Sequence, residues 1–344
     1  MPVSVIGVDL AKNVFQVHGV DDLGRPLLLK QLRREQVMAF FAQLPPCLIG
    51  MEACASAHHW ARKLQSLGHT VRLIAPQFVK PFVKSNKNDA ADAEAICEAV
   101  RRPTMRFVPV KNIEQQAALA LHRVRQSLVR SRTAQSNQIR GLLAEYGLVM
   151  PPRISSVRNG VPKLLDEAAG RIPGVFRELI LGLLDYLRSL DERVKALERQ
   201  IQLWHRGNVF SQKLEDIPGI GPLTASALVA SIGDAKQFST GRQLAAWLGL
   251  VPRQHSTGGK PKLLGISKRG DSYLRTLLIH GARSALRTAH RKPIGERWLN
   301  SLVGRRHPNI AAVALANKNA RIVWALLVHN RTYDDNFEQA PLPT

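Results

Sequence analysis

The first hundred residues alternate short apolar runs with polar breaks. Val3–Val8 is apolar and β-branched, climbs to Asp9 and then stops. Such a run predicts a buried strand. Val14–Val20 predicts a second strand, Asp21–Gly24 a turn and Pro26–Leu32 a third strand. Glu35–Leu44 has helical spacing and halts at Pro45-Pro46. Cys47–Met51 predicts a buried strand ending at Glu52, and Ala57–Leu67 a helix closed by Gly68. Val71–Ala75 predicts a fifth strand ended by Pro76. A basic connector with Lys80, Lys84 and Lys87 leads to a helix from about Asp89 to Arg102. Three strands that can form a meander, then strands separated by helices, match a ribonuclease-H-like α/β fold.

Beyond residue 110 the period becomes helical. Residues 113–146 predict one long helix whose middle, Arg130–Gln138, is polar on all sides. That stretch is either a solvated bridge or a surface that tracks a nucleic-acid backbone. Breaks are expected at Met150–Arg153 and at Asn159-Gly160-Val161-Pro162. Phe176, Ile180, Leu183, Leu187, Leu190, Val194, Leu197, Ile201 and Trp204 step by four and three, a heptad seam. Pairing within the chain or between protomers would satisfy it; its place between two domains favours assembly or a stalk. Ile217-Pro218-Gly219-Ile220-Gly221-Pro222 before an apolar helix resembles a helix-hairpin-helix turn, where Gly219 and Gly221 would bring backbone N–H groups to a phosphate. An ordinary turn between helices is the plainer reading. Gln243–Leu250 predicts a helix, Arg253–Lys260 a polar loop, Ser272–Arg287 and Ala311–Val328 two more helices, and Tyr333–Thr344 a loose tail. The expected divisions are 1–110, 111–208, 209–335 and a tail from 336.

Charge changes this picture. The net charge is +23 over 344 residues. Residues 1–100 hold 11 Lys/Arg and 9 Asp/Glu, whereas 251–331 hold 16 and 2. A polyanion, most simply nucleic acid, is the expected partner, and it belongs to the C-terminal part. Arg253, Lys260, Lys268 and Arg269 are its candidate contacts. No run reads as long enough to span a membrane, and the start lacks the regions of a signal peptide. Cys47, Cys54 and Cys97 lack metal-ligand spacing and read as buried, reduced, cytoplasmic thiols.

The carboxylates carry the candidate chemistry. Asp9 and Glu52 end strands, where α/β sheets place ligands. Asp89 and Asp92 are three apart on one helix face. Each alone reads as a cap or a dipole-compensating acid. Together they would repel one another unless cations intervened, and an all-oxygen set favours Mg²⁺ or Mn²⁺. An actin-like kinase also opens on a strand and an aspartate, but Leu10–Asn13 offers no phosphate loop.

Gly7–Lys12, Met51-Glu52-Ala53, Lys87–Ala93, Ile217–Gly221, Gly249–Arg253 and Ile266–Gly270, in this order, resemble the DEDD-type insertion-sequence transposases of the IS-one-ten family. Gln254–Lys260 looks like the subgroup with subterminal inverted repeats. The resemblance implies a RuvC-like N-terminal domain, a coiled-coil connector and a C-terminal transposase domain. It implies Mg²⁺ on Asp9, Glu52, Asp89 and Asp92, and a serine nucleophile before a glycine. Ser256 fits best; Thr257 lies between it and Gly258, and Ser267 is a further candidate. It also implies a non-coding bridge RNA that pairs with donor and target DNA, and a homo-oligomer between dimer and tetramer. The active site would then be composite. A junction-resolving nuclease using water and a non-catalytic nucleic-acid-binding protein are the alternatives.

Overall fold

The computed structural model describes residues 2–84, 88–288 and 302–334. Lys87 and the expected tail from 336 lie outside them. The chain divides into two compact units, Met1–Gln115 with Ile232–Gln237, and Gln116–Ser231 with Phe238–Thr344.

The first unit is built on a six-stranded sheet of order β3-β2-β1-β4-β5-β6. Its strands are β1 (Val5–Leu10), β2 (Val14–Val20), β3 (Pro26–Arg33), β4 (Leu48–Glu52), β5 (Thr70–Ile74) and β6 (Phe107–Val108). β1, β2 and β3 form an antiparallel meander, while β4 and β5 run parallel to β1. The two-residue β6, antiparallel to β5, has no periodicity to announce it. Helices α1 (Val37–Ala42), α2 (Ala57–Gln65), α3 (Pro76–Val79) and α4 (Asp89–Val100) complete the unit. Pro76 ends β5 as expected but also opens α3, where its missing N–H costs nothing. One face of the sheet buries Ile6, Val8, Phe15, Ile49 and Met51 beneath Trp60, Ala61 and Leu64 of α2. Ala95, Ile96, Ala99 and Val100 of α4 join Ile74 and Val79 in a separate cluster.

The second unit is mainly helical. Its elements are α5 (Ile113–Ala144, entering from the first unit), α6 (Ile154–Glu167), α7 (Gly174–Arg206), α8 (Val209–Glu215), α9 (Pro222–Ile232), α10 (Gly241–Trp247), the hairpin β7 (Pro252–Thr257) and β8 (Lys260–Ile266), α11 (Ser272–Thr288) and α12 (Pro308–His329).

Several expectations fail here for physical reasons. No break occurs at Asn159–Pro162: α6 runs through it, because Val157, Val161 and Leu165 at i, i+4 and i+8 are fully buried and outweigh the proline. The α7 seam is not a free stalk. It packs within the chain against Ile139 and Leu143 of α5 and Val157, Val161 and Leu165 of α6. The buried line uses Leu184 and Asp191, while Leu183, Leu197 and Trp204 are half-buried. The polar middle of α5 meets α7: Gln135 donates to the Leu183 carbonyl at 3.2 Å, and Asp191 bridges Arg132 and Arg158 at 3.0 Å each. Cys54 is exposed, unlike Cys47 and Cys97. α12 is long and apolar enough, by length and composition, to cross a membrane, with mean hydropathy 1.3, contrary to the sequence reading. It packs on α10 and α11 and buries Ala311, Leu315, Ala320 and Val323.

Candidate active site

Two glycines place the acids. Gly7 and Gly50 are partners in the β1–β4 ladder. Both face α4: a Cβ on Gly7 would lie 2.2 Å from the Ala93 carbonyl oxygen, and one on Gly50 2.8 Å from the Val100 Cβ. The helix therefore rests almost on the strand backbones. Side chains two residues along a strand share a face. Asp9 follows Gly7 by two and Glu52 follows Gly50 by two, so both acids leave their strands on the side of α4. Asn88 caps that helix, its Oδ1 accepting from the Ala91 N–H at 2.7 Å. The cap sets Asp89 and Asp92 in the first turn. The sequence reading missed these glycines and the cap; the repeated Gly-x-acid at two strand ends was the available signal.

Carboxylate oxygens of Asp9, Asp89 and Asp92 all lie within 4.8 Å of one another. Glu52 stands outside this trio, yet its charge still acts on Asp9. Asp9 is half-buried, and its pKa is pushed up to about 6. Burial is the largest cause, followed by the negative charges of Asp92, Asp89 and Glu52, against one lowering backbone hydrogen bond at Leu10. Among the described residues the trio itself offers only oxygen donors, and their mutual repulsion is what a hard divalent cation relieves. Charge and donor chemistry both fit Mg²⁺ or Mn²⁺.

The C-terminal candidates lie in the second unit. Arg253–Lys260 is not a loop. It forms most of a hairpin that turns at Gly258-Gly259, both at positive φ (55° and 76°). Its strands are exposed except at half-buried Ile266, so no alternation betrayed them. Ser256 is exposed, and Gln254 Nε2 donates to its Oγ at 2.8 Å. The register pairs Thr257 with Lys260 and His255 with Lys262. These cations therefore share the Thr257 face, and Ser256 shares the other with Gln254 and Pro261.

Gly219 has φ +89°, and its Cβ would meet the Gly281 carbonyl at 2.7 Å. Its freedom serves the close approach of α11. A Cβ on Gly221 would meet nothing within 4 Å among the described residues beyond its chain neighbours. Lys268 and Arg269 are exposed on a loop pinned to Gly249, whose carbonyl accepts the Lys268 N–H at 3.1 Å. Ser267 Oγ is buried without a partner among the described residues.

Sequence comparison identifies the family. Residues 6–148 match a DEDD transposase model of the IS110 type. Residues 211–298 match the model "Transposase IS116/IS110/IS902 family". A probable family 20 transposase of Pseudomonas aeruginosa is 58% identical over 335 residues, 97% of this chain and 99% of that protein. The transposase for insertion sequence element IS1111A of Coxiella burnetii is 47% identical, covering 96% of this chain and 91% of its own length. That for IS1328 of Yersinia enterocolitica is 44% identical, covering 96% and 98%. On matches spanning nearly the whole chain, the protein belongs to the IS110/IS116/IS902 family of transposases, enzymes that act on DNA in strand transfer.

Proposed function

We propose that the chain excises and inserts its own insertion-sequence element by Mg²⁺-dependent strand cleavage and exchange, with a serine nucleophile and guidance by a bridge RNA. The observation that carries the metal-dependent part is the trio Asp9, Asp89 and Asp92, within 4.8 Å of one another at a strand end. These three would hold the ion, with Glu52 adding charge beside them. Bound there, Mg²⁺ supplies charge stabilisation for a phosphodiester displacement. Asp9, its carboxyl raised by burial and like charges, must lose its proton to become a ligand.

Ser256 is proposed as nucleophile on the family resemblance and on its exposed Oγ. Gln254 donates to that oxygen, which leaves the hydroxyl proton free to depart. The Ser256 Oγ–phosphorus bond forms as the phosphorus–oxygen bond to the departing DNA 3′ oxygen breaks. The hydroxyl proton passes to solvent and the leaving oxygen is protonated. A covalent phosphoserine keeps the bond for rejoining. The lysines on the opposite hairpin face favour a second reading, Thr257 as nucleophile. The concentration of positive charge in residues 251–331 supports binding of DNA and of the proposed RNA there. Assembly as a dimer to tetramer in the cytoplasm is part of the same proposal.

The test uses element-end DNA with its cognate RNA. Wild type with Mg²⁺ should give a denaturant-resistant protein–DNA adduct, absent in Ser256→Ala and in Asp9→Asn. An adduct that survives Ser256→Ala and disappears in Thr257→Val transfers the role to Thr257. Strand exchange with no adduct in any variant supports water as nucleophile.

A further inference from the structure

We infer that an open hollow lined by Asn13, Arg33, Arg34, His59 and Trp60 is a subsite for one nucleotide of a single-stranded nucleic acid. The inference rests on the nucleic-acid reading above and adds a place of contact in the first unit, where net charge alone predicts none.

The hollow measures about 710 Å³, within the size range of ligand sites. Its wall is aromatic and cationic. Trp60 meets Phe15 edge-on at 5.0 Å and His59 at 5.4 Å. The Arg34 guanidinium lies over the Trp60 ring at 5.2 Å and donates to the Lys12 carbonyl at 3.2 Å. Among the described residues neither Arg33 nor Arg34 is in an ion pair, although Glu35 also lines the hollow. Trp60 is only 5% exposed, and its indole N–H finds no acceptor among those residues. Trp60 is thus a buried support beneath Arg34, while Arg33, Arg34 and His59 are exposed. The His59 pKa is lowered by burial and then by the cations Lys63, Arg62 and Arg34, a sign of positive potential.

This chemistry matches a nucleotide. Guanidinium groups take phosphate oxygens in paired hydrogen bonds, and the planes of exposed imidazole and guanidinium groups accept a base of any sequence. A duplex keeps its bases stacked inside, so a single strand is the fitting form. Topology adds the location. Asn13 precedes β2, Arg33 ends β3 opposite Val14, and Asp9 and Glu52 lie toward the ends of β1 and β4. All these positions are at one end of the sheet. Trp60 belongs to the α2 layer, whereas the acids leave their strands on the α4 side. A strand crossing this end of the sheet would pass both.

Fluorescence anisotropy with the full chain can test this, using single-stranded DNA, single-stranded RNA and duplex DNA of equal length. The double variant Arg33→Gln, Arg34→Gln should lose about tenfold affinity for a single strand, with a salt slope shallower by about 1–2. Duplex binding should stay within about threefold. The oligomer that loses affinity tells whether the strand is DNA or RNA. His59→Ala, at an exposed lining position, should weaken the same oligomer. A photoreactive pyrimidine in that oligomer should crosslink to residues that line the hollow, at 13–14, 33–38 or 59–60. Single-strand affinity within about twofold of wild type for both sugars, or adducts only elsewhere, would overturn the inference. Calorimetry with Mn²⁺ separates this from the metal reading: the arginine variants should bind the ion as wild type does. A wild type that bound no Mn²⁺ would sink the metal centre while leaving the oligonucleotide result to judge the subsite.

Discussion

A Cβ on Gly7 would sit 2.2 Å from the carbonyl oxygen of Ala93, so strand and helix meet backbone to backbone. That contact brings Asp9 to Asp89 and Asp92. Gly7→Ala must push α4 away, since no flexible side chain is there to yield. The expected cost is about 3 kcal/mol, the upper end for overpacking. Mn²⁺ affinity should fall with it. Thermal unfolding and calorimetry on the same variant check both, and an unchanged melting temperature would refute the contact.

The Asp9 carboxyl also predicts a pH dependence. Its pKa is about 6 in the fold against 3.8 ordinarily, so the folded state binds the proton more tightly. Without metal, this carboxyl's contribution to stability is most favourable below its ordinary value and declines as pH rises from 3.8 to about 6. Metal ions compete with that proton, so Mn²⁺ affinity should fall about tenfold from pH 7 to pH 5. Asp9→Asn should flatten the stability profile in that window and raise the metal-free melting temperature. A steeper profile in Asp9→Asn would contradict the assignment.

The strands of the first unit were legible because their faces differ in burial and their ends carry Gly, Pro and Asp. The order β1 to β5 therefore led to the sheet and to the strand-end acids Asp9 and Glu52, and the i, i+3 spacing to Asp89 and Asp92. Glu52 was harder: strand-end position is visible in sequence, whereas distance from the trio depends on how α4 lies. The hairpin at Pro252–Ile266 escaped because both of its faces are wet, so its residues do not alternate. Pro162 misled because local propensity cannot register the burial of Val157, Val161 and Leu165. The bridge from Asp191 to Arg132 and Arg158 spans 59 and 33 residues, and nothing local encodes it.

Asp191 should be costly to neutralise. Asp191→Asn leaves Arg132 and Arg158 beside each other without the carboxylate. Both arginine side chains are still partly in water (27% and 35% exposed). The cost should be about 2 kcal/mol, below that of a fully buried pair. Denaturant unfolding of the variant measures it.

The two hairpin glycines should behave differently. Gly219→Ala meets both a positive φ and the Gly281 backbone, and should lose about 1–3 kcal/mol. Gly221→Ala enters open space and should stay within about 0.5 kcal/mol. Gly221→Ala is thus the usable probe of phosphate contact at this turn. Equal melting temperatures for the two variants would show that Gly219 is not held against α11.

The metal centre is the claim on which the catalytic account stands, and Mn²⁺ titration calorimetry of the full chain at pH 7.5 tests it most directly. Wild type should give a saturable heat, and Asp9→Asn and Asp92→Asn should each abolish it. A wild type without saturable binding, or an isotherm unchanged in Asp9→Asn, would contradict the account.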